Sequence, residues 1–153
     1  MKSVLKLAVT VAVFALLFAF SANSASAQGR HPAYLHALTD LRDARAHLDR
    51  PDHGELRDQE KKAIHEINDA INEIKKAAID DGKDLNYHPA VDAHLDWPGR
   101  LHRAIELLDK AHNDIAREED NGFAQGLQQR ALGHIDRAHH HAEEAIEILH
   151  ASR

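Results

Sequence analysis

The sequence predicts an all-α protein, an antiparallel four-helix bundle built from two similar helical hairpins behind an N-terminal signal peptide. Three observations predict it. Four stretches carry apolar residues at helical spacing, with Pro, Gly, Asp and Asn in the gaps between them. The two halves of the chain echo one another. The first residues have the layout of an export signal.

Lys2 and Lys6 precede an apolar run from Leu7 to Phe20, and Ser21 to Ala27 supply the small residues of a cleavage site ahead of Gln28. The run is shorter than the ~20 residues a spanning helix needs. Residues 1–27 are therefore expected to be cleaved and 28–153 to form one helical domain, periplasmic or secreted and free of the membrane after processing. Removing Lys2 and Lys6 takes the formal charge from −6 to −8, which argues against nucleic acid or an anionic surface as partner. The chain has no cysteine, and Met1 is its one methionine. Thiol catalysis, iron–sulfur clusters and soft sulfur ligands to a metal are excluded, and the domain must be held by packing alone.

The first helix is expected from Pro32 to about Asp49, with Tyr34, Leu35, Leu38, Leu41 and Leu48 inward, broken by Arg50-Pro51-Asp52-His53-Gly54. The second runs from about Glu55 to Asp80 on a stripe of Leu56, Ala63, Ile64, Ile67, Ala70, Ile71, Ile74, Ala77 and Ala78, with Gly82 as its stop. A longer connection, 81–97, contains Pro89 and ends at Pro98 and Gly99, which open a third helix to about Glu118. Leu101, Ala104, Ile105, Leu108, Ala111 and Ile115 form its stripe. Asp120-Asn121-Gly122 reads as a turn. The fourth helix, about Ala124 to Ala151, turns Ala124, Gln128, Ala131, Leu132, Ile135, Ala138, Ala142, Ala145, Ile146 and Leu149 inward, and its alanines imply close helix approach. Leu35-His36 with Asp40 and Leu41 recurs as Leu101-His102 with Glu106 and Leu107, so each half reads as a hairpin, and two hairpins make a bundle.

The chemical signal is histidine, 14 residues all beyond the signal segment. Placed at 100° per residue, His112 falls on the third helix's apolar stripe, as a hydrogen-bonded core residue or, in a third reading, an axial ligand to non-covalently held haem. His36, Asp40, Asp43 and His47 align on a face nearly opposite the first helix's stripe. His134 and His141 share one shoulder of the fourth helix, with His139 and His150 on the other. His65 with Asp69, His102 with Glu106, and His140 with Asp136 and Glu144 lie one turn apart, a spacing at which imidazole and carboxylate can share a cation or pair with each other. If the first hairpin turns near residue 52, His36, Asp40, His65 and Asp69 can cluster; a turn near 121 sets His102 across from His140 and Glu106 across from Asp136.

With sulfur absent, nitrogen and oxygen ligands select Cu(II), Ni(II) or Zn(II), with Cu(II) favoured. The expected ligands are His36, Asp40, His47, His65, Asp69, His102, Glu106, His134, His139, His140 and His141, in solvent-exposed sites. The chain has no nucleophilic serine motif, phosphate-binding glycine run or zinc-protease helix, so no enzymatic activity is expected. His88, Asp92, His94 and Asp96 offer a possible loop site. The alternative is a structural or interaction protein of the cell envelope, with an envelope protein as partner and histidines that tune its charge with pH.

From His134 through Ile146 the fourth helix resembles the repeat of the periplasmic small metal-binding protein family. His134 and His141 match its seven-spaced histidines, while Ile148 departs from it. The resemblance implies a histidine-rich helical bundle that binds copper and other divalent metals, and it reaches only this helix.

Overall fold

A computed structural model of the chain describes residues 32–50, 52, 54–78, 96–117 and 122–152. The expected signal segment, His88, Asp92 and His94 of the connection, and the turn at Asp120-Asn121 lie outside them. Four helices follow in order: α1 (Pro32–Leu48), α2 (Gly54–Ala77), α3 (Trp97–Ala116) and α4 (Gly122–Ala151), with no strand among the described residues. The sequence-predicted boundaries agree to within three residues. Gly54 opens α2 at φ 63°, a left-handed conformation that glycine adopts without penalty. At α3, the side chain of Asp96 accepts a hydrogen bond from the Gly99 backbone N–H at 3.0 Å, and Pro98 follows at the start of the helix. Asp96, a candidate loop ligand by sequence, is thus a helix cap.

Each helix buries a seam spaced alternately three and four residues apart. On α1 it is Tyr34, Ala37, Leu41, Ala44 and Leu48; on α3, Leu101, Ala104, Leu108, Ala111 and Ile115; on α4, Ala131, Ile135, Ala138, Ala142, Ala145 and Leu149. On α2 it is Leu56, Glu60, Ala63, Ile67, Ala70 and Ile74, so a carboxyl group occupies one core position. Such seams are those of helices packed at shallow angles, and each large aliphatic side chain so buried contributes roughly 1.5–3 kcal/mol. The small alanines of α4 let its neighbours come close.

α2 packs most extensively on α4 and α1 on α3, with further contacts between α3 and α4 and between α1 and α2. The four helices form a ring in which α1 lies diagonal to α4, and α2 to α3. Between α1 and α2, Arg45 meets Asn68 and Arg57 meets Asp49; between α2 and α4, His134 meets Glu66 and His141 meets Gln59. The ring leaves two open seams rich in imidazole and carboxylate, α2/α4 and α3/α4, both bordered by α4.

Candidate metal centre

Along the α2/α4 seam, Gln59, Glu66 and Glu73 lie seven residues apart on α2 and face His141, His134 and Arg130 of α4. His141 Nδ1 is 3.0 Å from Gln59 Oε1, His134 Nδ1 is 2.6 Å from Glu66 Oε2, and Arg130 Nη2 is 2.8 Å from Glu73 Oε2. At the middle rung, Asp69 joins Glu66 and His134, and one donor atom from each lies within 4.8 Å of the others. It is the one such triad among the described residues. His65 adds a second imidazole, its Nε2 3.6 Å from Asp69 Oδ2. The triad is half-buried, shielded enough to strengthen electrostatic attraction and open enough for an ion to enter.

Arg137 completes the rung. Its Nη2 lies 3.0 Å from Glu66 Oε2 and 2.7 Å from His134 Nδ1. The imidazole nitrogen cannot satisfy both neighbours at once. With its proton on Nδ1 it donates to Glu66; with the proton on Nε2 it accepts from the guanidinium. A divalent ion would use that Nδ1 lone pair and Glu66 Oε2, displacing the proton or Arg137. Burial alone would raise the Glu66 carboxyl, but hydrogen bonds from Arg137 and His134 outweigh it and hold the group below its usual range. Glu66 is therefore a carboxylate at neutral pH, the form that binds cations.

Further along α4, Glu144 lies between two imidazoles: Oε2 is 3.0 Å from His141 Nδ1 and Oε1 is 3.4 Å from His140 Nε2. The hydrogen bond from His141 lowers its pKa. On the other shoulder, His139 Nε2 is 3.3 Å from Asp109 Oδ1 and His112 Nε2 is 3.3 Å from Asp136 Oδ1, both across the α3/α4 seam. His102 lines the same seam further along, with His140.

The two shoulders assigned to α4 by sequence thus meet two different helices. Other expectations change. His112 is not in the core; its side chain is 39% exposed and meets Asp136, because the α3 seam runs through Ala111 and Ile115 beside it, and an inward axial histidine is not formed. Glu106 pairs with Arg103 at 2.8 Å on its own helix, not with Asp136. His36 is exposed on α1, while Asp40 faces Lys110 and Asp114 of α3 and Asp69 faces α4. The expected cluster of His36, Asp40, His65 and Asp69 does not form, since α1 turns that edge toward α3.

His47 reverses its expected exposure. It is 3% exposed, because α1 packs against both α2 and α3 and so buries a wider arc than its apolar stripe. Burial lowers its pKa, and Arg103, Arg100 and Arg50 add to the shift against an opposing contribution from Asp43. These guanidiniums disfavour a metal cation there. His47 belongs instead to a buried polar cluster with Asp52, Glu60 and Arg100. Arg100 Nη1 donates to the His47 carbonyl at 2.6 Å and Nη2 to Asp52 Oδ2 at 2.7 Å, while Glu60 Oε1 lies 3.9 Å from Nη1. The cluster ties the start of α3 to the end of α1.

Sequence reasoning missed Glu66 and Glu60. Glu66 was signalled by its place seven residues from Gln59 and Glu73, in register with the seven-spaced His134 and His141. Glu60 was signalled by the vacancy it fills in the spacing Leu56, Ala63, Ile67, Ala70 and Ile74. Comparison of the chain with protein families, characterised proteins and solved structures gives no match.

Proposed function

We propose that this is an exported, non-enzymatic helical protein, periplasmic or secreted, that binds or buffers divalent transition metals. In this reading the ring of helices is an antiparallel bundle of two similar hairpins behind a cleaved signal segment. The observation that carries the proposal is the convergence of Glu66 and Asp69 from α2 with His134 from α4, donor atoms within 4.8 Å of one another. One nitrogen and two oxygens make a borderline-to-hard ligand set suited to Cu(II), Ni(II) and Zn(II), with Cu(II) bound most tightly. His65 lies beside the triad, and Glu144, His140, His141 and His102 supply further ligands elsewhere on the bundle, which suits buffering better than a single rigid centre. The resemblance of the C-terminal helix to the periplasmic small metal-binding proteins points the same way.

Calorimetric titration of the purified protein with each ion tests the proposal. At least one equivalent is expected to bind at micromolar metal near pH 7, and His134→Ala should weaken the tightest site tenfold or more without loss of helicity. Less than one equivalent of all three ions would refute it. A second reading, an envelope interaction protein with pH-responsive histidines, draws on the imidazole–carboxylate pairs that join α4 to α2 and α3, each of which becomes a salt bridge when its ring is protonated. Metal-independent capture of one envelope protein, lost on raising the pH, would favour it.

A further inference from the structure

α3 and α4 carry the same four-residue pattern. On α3 it is Asp109-Lys110-Ala111-His112; on α4, Asp136-Arg137-Ala138-His139. In each, the alanine is fully buried in the seam, and the three-residue spacing puts carboxylate and imidazole on one helix face. The two patterns face one another and pair reciprocally, His112 with Asp136 and His139 with Asp109, each at 3.3 Å. An approximate twofold axis therefore passes between the helices here. The basic residues also point to corresponding outer neighbours: Arg137 reaches Glu66 of α2, and Lys110 faces Asp40 of α1.

We infer that this crossed pair of Asp-x-x-His patterns is a second divalent-metal site, made of Asp109, His112, Asp136 and His139. The inference extends the proposed metal-binding function to a place that shares no ligand with the Glu66/Asp69/His134 triad. Three features support it. Zinc held tetrahedrally at 2.0–2.1 Å separates its ligands by roughly 3.4 Å, and the imidazole–carboxylate gap within each pair is 3.3 Å; no three of the four donors lie within 4.8 Å of one another, so the two pairs must close by side-chain rotation to share one ion. The four side chains line an open cleft of about 330 Å³ floored by Leu108 and Ile135, and at ~30 Å³ per water it has room for a partly hydrated ion. Finally, His139 has its second nitrogen, Nδ1, 3.4 Å from Glu143 Oε2, the outer carboxylate that characteristically orients a metal-bound imidazole. A carboxylate and a histidine three residues apart on facing helices are also how bundles commonly present ligands to metals.

The test follows imidazole resonances by NMR during titration with Cu(II), whose paramagnetism broadens nearby signals, alongside calorimetric stoichiometry with Zn(II). In His134→Ala, His112 and His139 are expected to broaden together at substoichiometric Cu(II), with at least one Zn(II) equivalent retained. The double variant His112→Gln/His139→Gln should lose that equivalent and keep the His134 response. Because the pairing is crossed, Asp109→Asn should reduce broadening of His139 more than of His112, and Asp136→Asn the reverse. All four side chains are 27–66% exposed, so circular dichroism should show these variants folded. Broadening of His134 with His112 and His139 left sharp would overturn this second site and leave the proposed function standing. No response at any histidine would overturn both.

Discussion

Glu60 is the least expected residue in the core, and it makes stability depend on pH in a way that can be measured. It occupies a seam position on α2 with no exposed surface. Burial pushes its carboxyl from the ordinary 4.5 to about 8; the nearby Asp52 carboxylate adds to the shift, and Arg100 and Arg57 offset part of it. Between those two values the folded protein keeps a proton that the unfolded chain has released. Glu60's contribution to stability is therefore fully present below pH 4.5 and is lost as pH rises through about 8. At about 1.4 kcal/mol per pH unit, the loss across the window is on the order of 5 kcal/mol at most. Movement of Arg100 and Arg57 toward the new charge reduces it. Glu60→Gln keeps the shape and removes the ionisation. Urea unfolding of both proteins from about pH 5 to 9, followed by helical circular dichroism, isolates the effect, because the histidines common to both cancel in the difference. The variant should match the wild type near pH 5, gain on it progressively, and hold a constant advantage above the folded-state pKa. Parallel stability curves across the whole range would refute the reasoning.

Two further outcomes follow from particular contacts. Arg137→Gln removes the cation that lies against both Glu66 and His134; divalent ions should bind this rung several-fold to about tenfold more tightly at low ionic strength, with the gain shrinking in high salt, and an unchanged affinity in a chelator competition would show that Arg137 does not occupy the cation position. Gly54→Ala should cost roughly 1–2 kcal/mol in thermal unfolding, because φ is 63° and a Cβ there meets nothing within 4 Å, leaving backbone strain as the only penalty; Gly54→Asn should cost less, and equal losses would contradict that account.

Most of the helical architecture was legible in the sequence, because apolar spacing reports one helix face whatever lies opposite it. Seam residues such as Leu41, Ile67, Leu108 and Ile135 were identified from spacing alone, and helix ends from Pro32, Gly54 and Pro98. What spacing cannot supply is which helices become neighbours. The register that would have joined His36 and Asp40 to His65 and Asp69 assumed that α1 and α2 share their polar edges. In the ring, α1 turns Asp40 toward α3, and α2 turns Asp69 toward α4. His47 was misplaced for a related reason: a helix flanked on two sides buries positions outside its apolar stripe, and Arg100 reaches across to the His47 carbonyl, a long side chain whose reach a helical wheel does not show. His112 was misplaced in the opposite direction, since a position on the shoulder of the stripe opens to solvent where only one neighbour covers it.

α4 carries five of the histidines, His134, His139, His140, His141 and His150, and His134, His139 and His141 on its shoulders form contacts across the bundle. It packs against two helices, so each shoulder borders a different seam, and residues one heptad apart on a shoulder stay in register with a single partner. His134 and His141 keep to α2, and His139 to α3. An ion bridging His134 and Glu66 would tie α4 to α2; one bridging His139 and Asp109 would tie it to α3. Such ions bind only when the helices are packed, so each would stabilise the fold by an amount that rises with the logarithm of its concentration over its dissociation constant. The chain has no cysteine to do this covalently. Metal binding at either seam would therefore act as a reversible cross-link centred on α4, and the two seams would be coupled through the position of that one helix.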